Sequence, residues 1–278
     1  MRERVGGLPA RLRIGASSWS APSWTGVFYP PGMEPGGFIG HYAAHFDTVE
    51  VDATFYRIPA PRMVDNWRER TPEGFLFAAK VPQVITHEKL LLDCGDEMSS
   101  FLQVMDRLEH RLGPLLLQFR YFRQDEFPDP GPFIDRLERF LPTLPAGRQF
   151  AVEVRNKRFV VPRLLDLLRK HGIALAWIDH PWFYGVDEMV RRPETLTAGF
   201  SYIRWLGDRH GIERRTKSWD KLIVDRSAAL RSWIAAIRGM MEQPRTVYGY
   251  FNNHYAGYAV GSIRQFQGLW EAEAAGDC

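Results

Sequence analysis

Only two cysteines occur among the 278 residues, Cys94 and Cys278, and they lie far apart. That excludes a disulfide framework and a cysteine-rich zinc set. Long apolar runs are also missing: no stretch is long enough to span a bilayer, and the opening MRERVGGLPARLR has no apolar signal core. The expectation is a soluble, cytoplasmic chain with no membrane partner. An excess of one charge is lacking as well, with 36 Lys plus Arg against 33 Asp plus Glu and no basic stripe. Nucleic acid is therefore the less favoured partner. Cofactor fingerprints are absent: GASSWS after the first strand does not supply G-x-G-x-x-G, so no cofactor is indicated by a motif. No metal site is indicated either, because His41 and His45, four apart on a helix, lack a third ligand.

What is present is an alternation of apolar strands and helical spacings. The stretch Thr48 to Arg57, TVEVDATFYR, begins as a strand in which Val49 and Val51 alternate with Glu50 and Asp52, and runs into an aromatic turn at Phe55 and Tyr56. Around it, strands are expected at Arg11–Ala16, Gly74–Val81, Leu115–Phe119, Gln149–Arg155, Ile173–Asp179, Phe200–Leu206 and Arg245–Phe251. Helical spacing marks Phe38–Phe46, Arg62–Arg70, Glu97–Leu112, Phe133–Phe140, Pro162–His171, Ala228–Glu242 and Tyr258–Ala272. His180–Gly199 reads as a loop with at most a short helix. Connections of a dozen residues or more allow parallel strands, and two-sided apolar strands such as LLLQF and IALAWID suit a sheet covered on both faces. Eight such units in a chain of this length predict an α/β fold, a (β/α)8 TIM-type barrel forming a single domain over residues 1–278, with 1–10 as a flexible N-terminus.

Several segments carry a resemblance beyond their periodicity. IGASSWS with WTGVFYPPG, HYAAHFDTVEVDATFYRIP, FLFAAKVPQVITH and YFNNHYAGYA together resemble the YecE-like family, domain of unknown function 72. The resemblance covers essentially the whole chain and implies a TIM-type barrel, without bringing an established reaction. Two departures stand out: Asp52-Ala53 where the family pattern leads one to expect Asn-Ser, and Gly249 in place of a bulkier residue.

A barrel collects the residues ending its strands at one mouth, where active sites of this architecture lie. The acid/base candidates are Glu50 and Glu153. Lys80, Arg155 and Arg204 are expected to hold anionic groups, with Ser18, Asp52, Gln118, Asp179, Asn252 and His254 completing the substrate-binding set. Ser17 and Ser18 lack the G-x-S-x-G turn and are read as hydrogen-bonding groups. Trp19, Tyr56 and Tyr250 are the expected pocket aromatics. The favoured function is an enzyme acting on a small phosphorylated or carbohydrate-like substrate. Two alternatives stay open. One is a divalent-metal-dependent hydrolase using Glu50, Asp52, Glu153, Asp179 and His254; the other is a single-stranded nucleic-acid binding module. Glu153 and Arg155, or Lys80 and Glu50, equally fit a structural ion-pair network inside the barrel. The basic run Arg209–Lys217 follows the seventh strand and reads as a solvated loop or a lid.

Overall fold

Eight parallel strands form one sheet, β1 (Leu12–Ala16), β2 (Thr48–Val51), β3 (Leu76–Lys80), β4 (Leu112–Gln118), β5 (Phe150–Glu153), β6 (Ala174–Asp179), β7 (Phe200–Trp205) and β8 (Thr246–Phe251). The computed structural model describes residues 7–276, so most of the expected N-terminal extension and Cys278 lie outside the described residues. Hydrogen-bonded neighbours run in the order β1-β8-β7-β6-β5-β4-β3-β2, which brings β1 and β2 to the two edges of a nearly closed (β/α)8 barrel. The Tyr42 hydroxyl bridges that seam, accepting from Ala16 N at 2.8 Å and donating to Thr48 O at 3.1 Å. A side chain at Gly15 would place its Cβ 2.1 Å from Thr48 O, so the close approach of the two edges requires glycine there.

The helices of the chain are α1 (Phe38–His45), α2 (Pro61–Glu69), α3 (Gly95–Met105), α4 (Gly131–Phe140), α5 (Pro162–Lys170), α6 (Val186–Val190), α7 (Arg209–Glu213), α8 (Ser227–Met241) and α9 (Ala259–Ala274). All but α6, in a segment read as a loop with at most a short helix, and α7, in the basic run, fall where helical spacing was expected. In α5, Pro162 starts the helix, Arg169 and Lys170 occupy its last turn, and Gly172 follows with φ +64°. Leu164, Leu165, Leu167 and Leu168 are buried. Each such side chain contributes about 1.5–3 kcal/mol of burial, which outweighs what a helix this short gains from its own hydrogen bonds.

The connection into β4 departs from expectation. The helix expected over Glu97–Leu112 ends at Met105, and a tighter turn follows in which Glu109 adopts φ 54° and ψ −127°. Gly113 and Pro114, ahead of the strand expected over Leu115–Phe119, lie inside β4. They fit because the β3–β4 register shifts between Phe77 and Ala79. Gly113 passes so near Phe77 O that a Cβ would stand 3.3 Å away.

Alternation divides the strands cleanly. One set of residues packs against the helices in a continuous apolar layer, and the other fills the interior with Leu76, Ala78, Leu116, Ala151, Ala174, Ala176, Phe200, Tyr202, Tyr248 and Tyr250. Above that plug, near the C-terminal ends, the interior turns polar.

Candidate active site at the barrel mouth

Strand alternation brings Glu50, Lys80, Gln118, Glu153 and Arg204 to the interior near the C-terminal ends of five different strands. Arg204 is buried to 1% exposure and Glu50 and Glu153 to 0%. The Arg204 guanidinium donates from Nε and Nη2 to Glu50 Oε2 and Oε1 at 2.9 and 2.8 Å, and from Nη1 to Glu153 Oε2 at 2.6 Å and Gln118 Oε1 at 3.2 Å. Tyr202 adds a hydroxyl donor to Glu50 Oε2 at 2.6 Å, and one layer down Tyr250 and Thr48 share a hydrogen bond of 2.9 Å. Burial works against the charge of Arg204, yet Glu50 and Glu153 raise its pKa well above the ordinary arginine value.

The two carboxylates expected to exchange protons are engaged on every oxygen. Burial alone would raise the Glu153 pKa, but Arg204 and Arg155, with Lys80 beyond them, pull it down to about 2. Such a carboxylate remains ionised at neutral pH and hydrogen bonded, a geometry suited to holding cations in place. Glu50 is equally enclosed. The ion-pair alternative thus describes the floor of the mouth. Its Glu153–Arg155 contact is present at 2.9 Å, whereas Lys80 pairs with Asp52 in place of Glu50.

Above this floor stand groups with free valence. Arg155 donates Nε to Glu153 Oε1, is 27% exposed, and its two terminal amines have no partner among the described residues. Asn252 Oδ1 faces His254 Nδ1 at 2.6 Å, and His254 Nε2 meets Glu213 Oε1 at 3.1 Å, tying the short helix α7 to the end of β8. The basic run expected as a loop or lid is therefore in part helical, and Asp208 caps it through Gly211 N. Ser18 shares a hydrogen bond with Ser20 at 3.1 Å. Ser18, Asp52, Asn252 and His254, with Trp219, line a cavity of about 190 Å³ at the ends of β1, β2 and β8. A second cavity of about 490 Å³ opens over β4 to β6, lined by Tyr121, Asn156, Lys157, Arg158 and Trp182.

Other expected site residues lie elsewhere. Asp179 shares the outer face of β6 with Trp177, and its Oδ2 accepts from Trp233 Nε1 of α8 at 2.7 Å, so it faces the helix layer. Trp19 packs edge-on against Trp67 and Phe77 outside the barrel, and Tyr250 is sealed within the interior plug. Of the three expected pocket aromatics only Tyr56 is exposed; Tyr121 and Trp182, on the loops after β4 and β6, were not anticipated. His41 and His45 pack edge-on against Phe28, with their own ring centroids 4.6 Å apart. Among the described residues no group of three or more His, Cys, Asp or Glu side chains is gathered as a metal set. All five residues named for a metal, Glu50, Asp52, Glu153, Asp179 and His254, already have protein partners.

Two histidines missed in the sequence border the floor. His87 sits on a π-helical turn, Val84–Glu88, after β3, and this turn is followed by Leu90, Leu91 and Asp93 in left-handed conformations. His180 follows β6 directly. Burial lowers the pKa of each; with Arg120, Arg155 and Lys80 adding to it and Glu153 opposing, His87 comes to about 4, while Arg155 also lowers His180 and Glu153 and Asp208 oppose. Only the motif FLFAAKVPQVITH carried a signal for His87, since a π-turn has no simple periodicity.

Residues 13–277 match the family described as "Protein of unknown function DUF72". The chain belongs to that family. It is 35% identical over 149 residues to the UPF0759 protein YecE of Escherichia coli strain K12, a match spanning 53% of this chain and 50% of YecE, about half that relative's length. The crystal structure of a DUF72 family protein from Thermotoga maritima is similar with a TM-score of 0.75 at 26% identity, covering 94% of this chain and 99% of the other. A crystal structure of D-psicose 3-epimerase in the presence of D-fructose shares the fold alone, with a TM-score of 0.52 at 12% identity over 95% of this chain and 97% of the other. No described helix is long and apolar enough to cross a membrane.

Proposed function

We propose that the DUF72 barrel mouth is the active site of an enzyme on a small phosphorylated or carbohydrate-like substrate. The observation that carries this reading is Arg155: a guanidinium oriented by a buried carboxylate, with two terminal amines unpartnered among the described residues and partly exposed. A planar fork held in this way matches phosphate or carboxylate oxygens in two parallel hydrogen bonds. The Glu50–Arg204–Glu153 floor keeps Arg155 from collapsing inward, because both of its carboxylates are occupied. Asp52, Asn252 and Ser18 supply donors and acceptors for hydroxyl groups in the cavity at the ends of β1, β2 and β8. The exposed rings of Tyr56, Tyr121 and Trp182 suit the apolar face of a sugar. The fold shared with an epimerase crystallised with a sugar is consistent with this substrate class.

Thermal shift of the full chain against sugar phosphates, sugar acids, neutral sugars, oligonucleotides and divalent metals tests the reading. A ligand at a hundred times its Kd adds about 2.7 kcal/mol of stability. Stabilisation by a sugar phosphate or sugar acid that disappears in Arg155→Met is expected. A response confined to oligonucleotides and erased by salt would replace this reading with the binding module, and one lost on chelation would replace it with the metal hydrolase.

A further inference from the structure

Both buried glutamates are saturated with partners, so the proton chemistry of the mouth falls to other groups. We propose that His87 Nε2 is the base that takes a proton from the substrate, with His180 Nε2–H and the Arg155 fork as donors to the oxygen on which negative charge develops. This inference rests on the active-site reading above and names the residues that would act within it.

The hydrogen-bond partners of the two rings point to their tautomers. Thr86 is fully buried, and its hydroxyl has two neighbours, Pro82 O at 3.5 Å and His87 Nδ1 at 2.9 Å. A carbonyl only accepts, so both contacts are satisfied together only when the hydroxyl proton goes to Pro82 O and Nδ1–H donates to the hydroxyl oxygen; that is the tautomer we assign. His87 Nε2 then bears the lone pair and has no partner among the described residues. His180 is the converse. Trp182 N donates to its Nδ1 at 3.3 Å; a backbone N–H only donates, so the proton of the neutral ring lies on Nε2. One neutral histidine is left as an acceptor and the other as a donor, with Glu153 and Arg155 acting on both.

In the step this supports, a proton leaves a carbon adjacent to a substrate carbonyl and joins His87 Nε2, giving an imidazolium. The electron pair left behind moves onto the carbonyl oxygen, where His180 Nε2–H and Arg155 donate hydrogen bonds; return of the proton to carbon restores the imidazole. His180 keeps its proton throughout and serves as a neutral donor. The cations facing His87 are Lys80 from β3, Arg120 after β4 and Arg155 after β5, against the single acid Glu153. An anionic substrate on Arg155 offsets that positive field, so binding itself strengthens His87 as a base.

Imidazole nitrogen spectra of the 15N-labelled full chain, assigned with His87→Gln and His180→Gln, test this directly. At neutral pH His87 should appear as the Nδ1–H form and His180 as the Nε2–H form; His87 as Nε2–H, or already charged, overturns the proposal. Repeated as a pH titration with saturating inorganic phosphate, the His87 midpoint should move upward, and the movement should vanish in Arg155→Met. Phosphate that perturbs Arg155 and leaves the His87 midpoint in place overturns the coupling and with it the base assignment. Phosphate that fails to bind removes the active-site reading, and the assignment that rests on it, whatever the tautomers show. For any sugar phosphate that stabilises the protein through Arg155, deuterium uptake from solvent should fall about 100-fold or more in His87→Gln with binding retained. Unchanged uptake in that variant would overturn this inference alone.

Discussion

Arg204 and Glu50, 154 residues apart in sequence, meet in a forked pair at 2.8 and 2.9 Å inside the barrel, with neither side chain more than 1% exposed. A guanidinium fork against a carboxylate satisfies charge and hydrogen bonds together, which makes complete burial of two charges tolerable.

Breaking this pair from one side leaves a buried charge without compensation. Arg204→Met should destabilise the fold by about 3–5 kcal/mol, and Glu50→Gln should cost less because Tyr202 and part of the guanidinium still find an amide oxygen. Urea unfolding of both variants checks the order. An Arg204→Met protein as stable as the parent would show that the pair is dispensable to folding.

Acid should weaken the protein in two windows. The folded His87 pKa of about 4 lies below its ordinary 6.5, so the unfolded chain takes up the proton first, and the stability present above pH 6.5 is lost as pH falls toward 4. Glu153, at about 2 against an ordinary 4.5, contributes stability that is present above 4.5 and lost as pH falls toward 2, on the order of 3 kcal/mol in all. His87→Gln should make the upper window shallower, the remainder belonging to His180 and His254, whose pKa values burial also lowers, and leave the lower one, read as unfolding free energy against pH. A variant that loses stability between pH 6.5 and 4 as steeply as the parent would contradict the assignment.

At the seam, Tyr42→Phe removes the hydroxyl that joins Ala16 N to Thr48 O. Two buried backbone groups then lack partners at the edges where the barrel is not hydrogen bonded to itself. The expected loss is about 2 kcal/mol or more in denaturant unfolding. Amide exchange at Ala16 should accelerate more than exchange at Ile203, deep in the sheet.

How much of this was legible in the sequence depends on periodicity. The eight strands and most helices follow from alternation and helical spacing, and the interior placement of Glu50, Glu153 and Arg204 follows from strand parity. Parity also held the signal that Asp179 faces outward: Ala174, Ala176 and Ile178 alternate with Trp177 and Asp179, and reading only the strand end overlooked it. What sequence could not supply is partner choice. Lys80 had Glu50 and Asp52 within the same short segment, and only three-dimensional reach decided for Asp52. Tyr121, Trp182 and His180 lie on loops and His87 on a π-helical turn, where no repeat fixes direction.

Gly249 has a neighbour that leaves no room for a side chain. A Cβ there would stand 2.6 Å from the Trp205 ring and 2.9 Å from Ile14 Cδ1. Trp205 cannot withdraw, since it is fully buried, stacked on Phe251 at 4.1 Å and flanked by Trp233 and Phe266. Gly249→Ala should therefore destabilise by about 1–3 kcal/mol through overpacking, although alanine suits a strand better than glycine does. The decisive comparison is with Trp205→Phe. The smaller ring opens the space, so the same alanine introduced beside Phe at 205 should cost much less, and the two changes should be strongly non-additive. Equal costs in both backgrounds would mean that Gly249 is held for its backbone, with Trp205 an incidental neighbour.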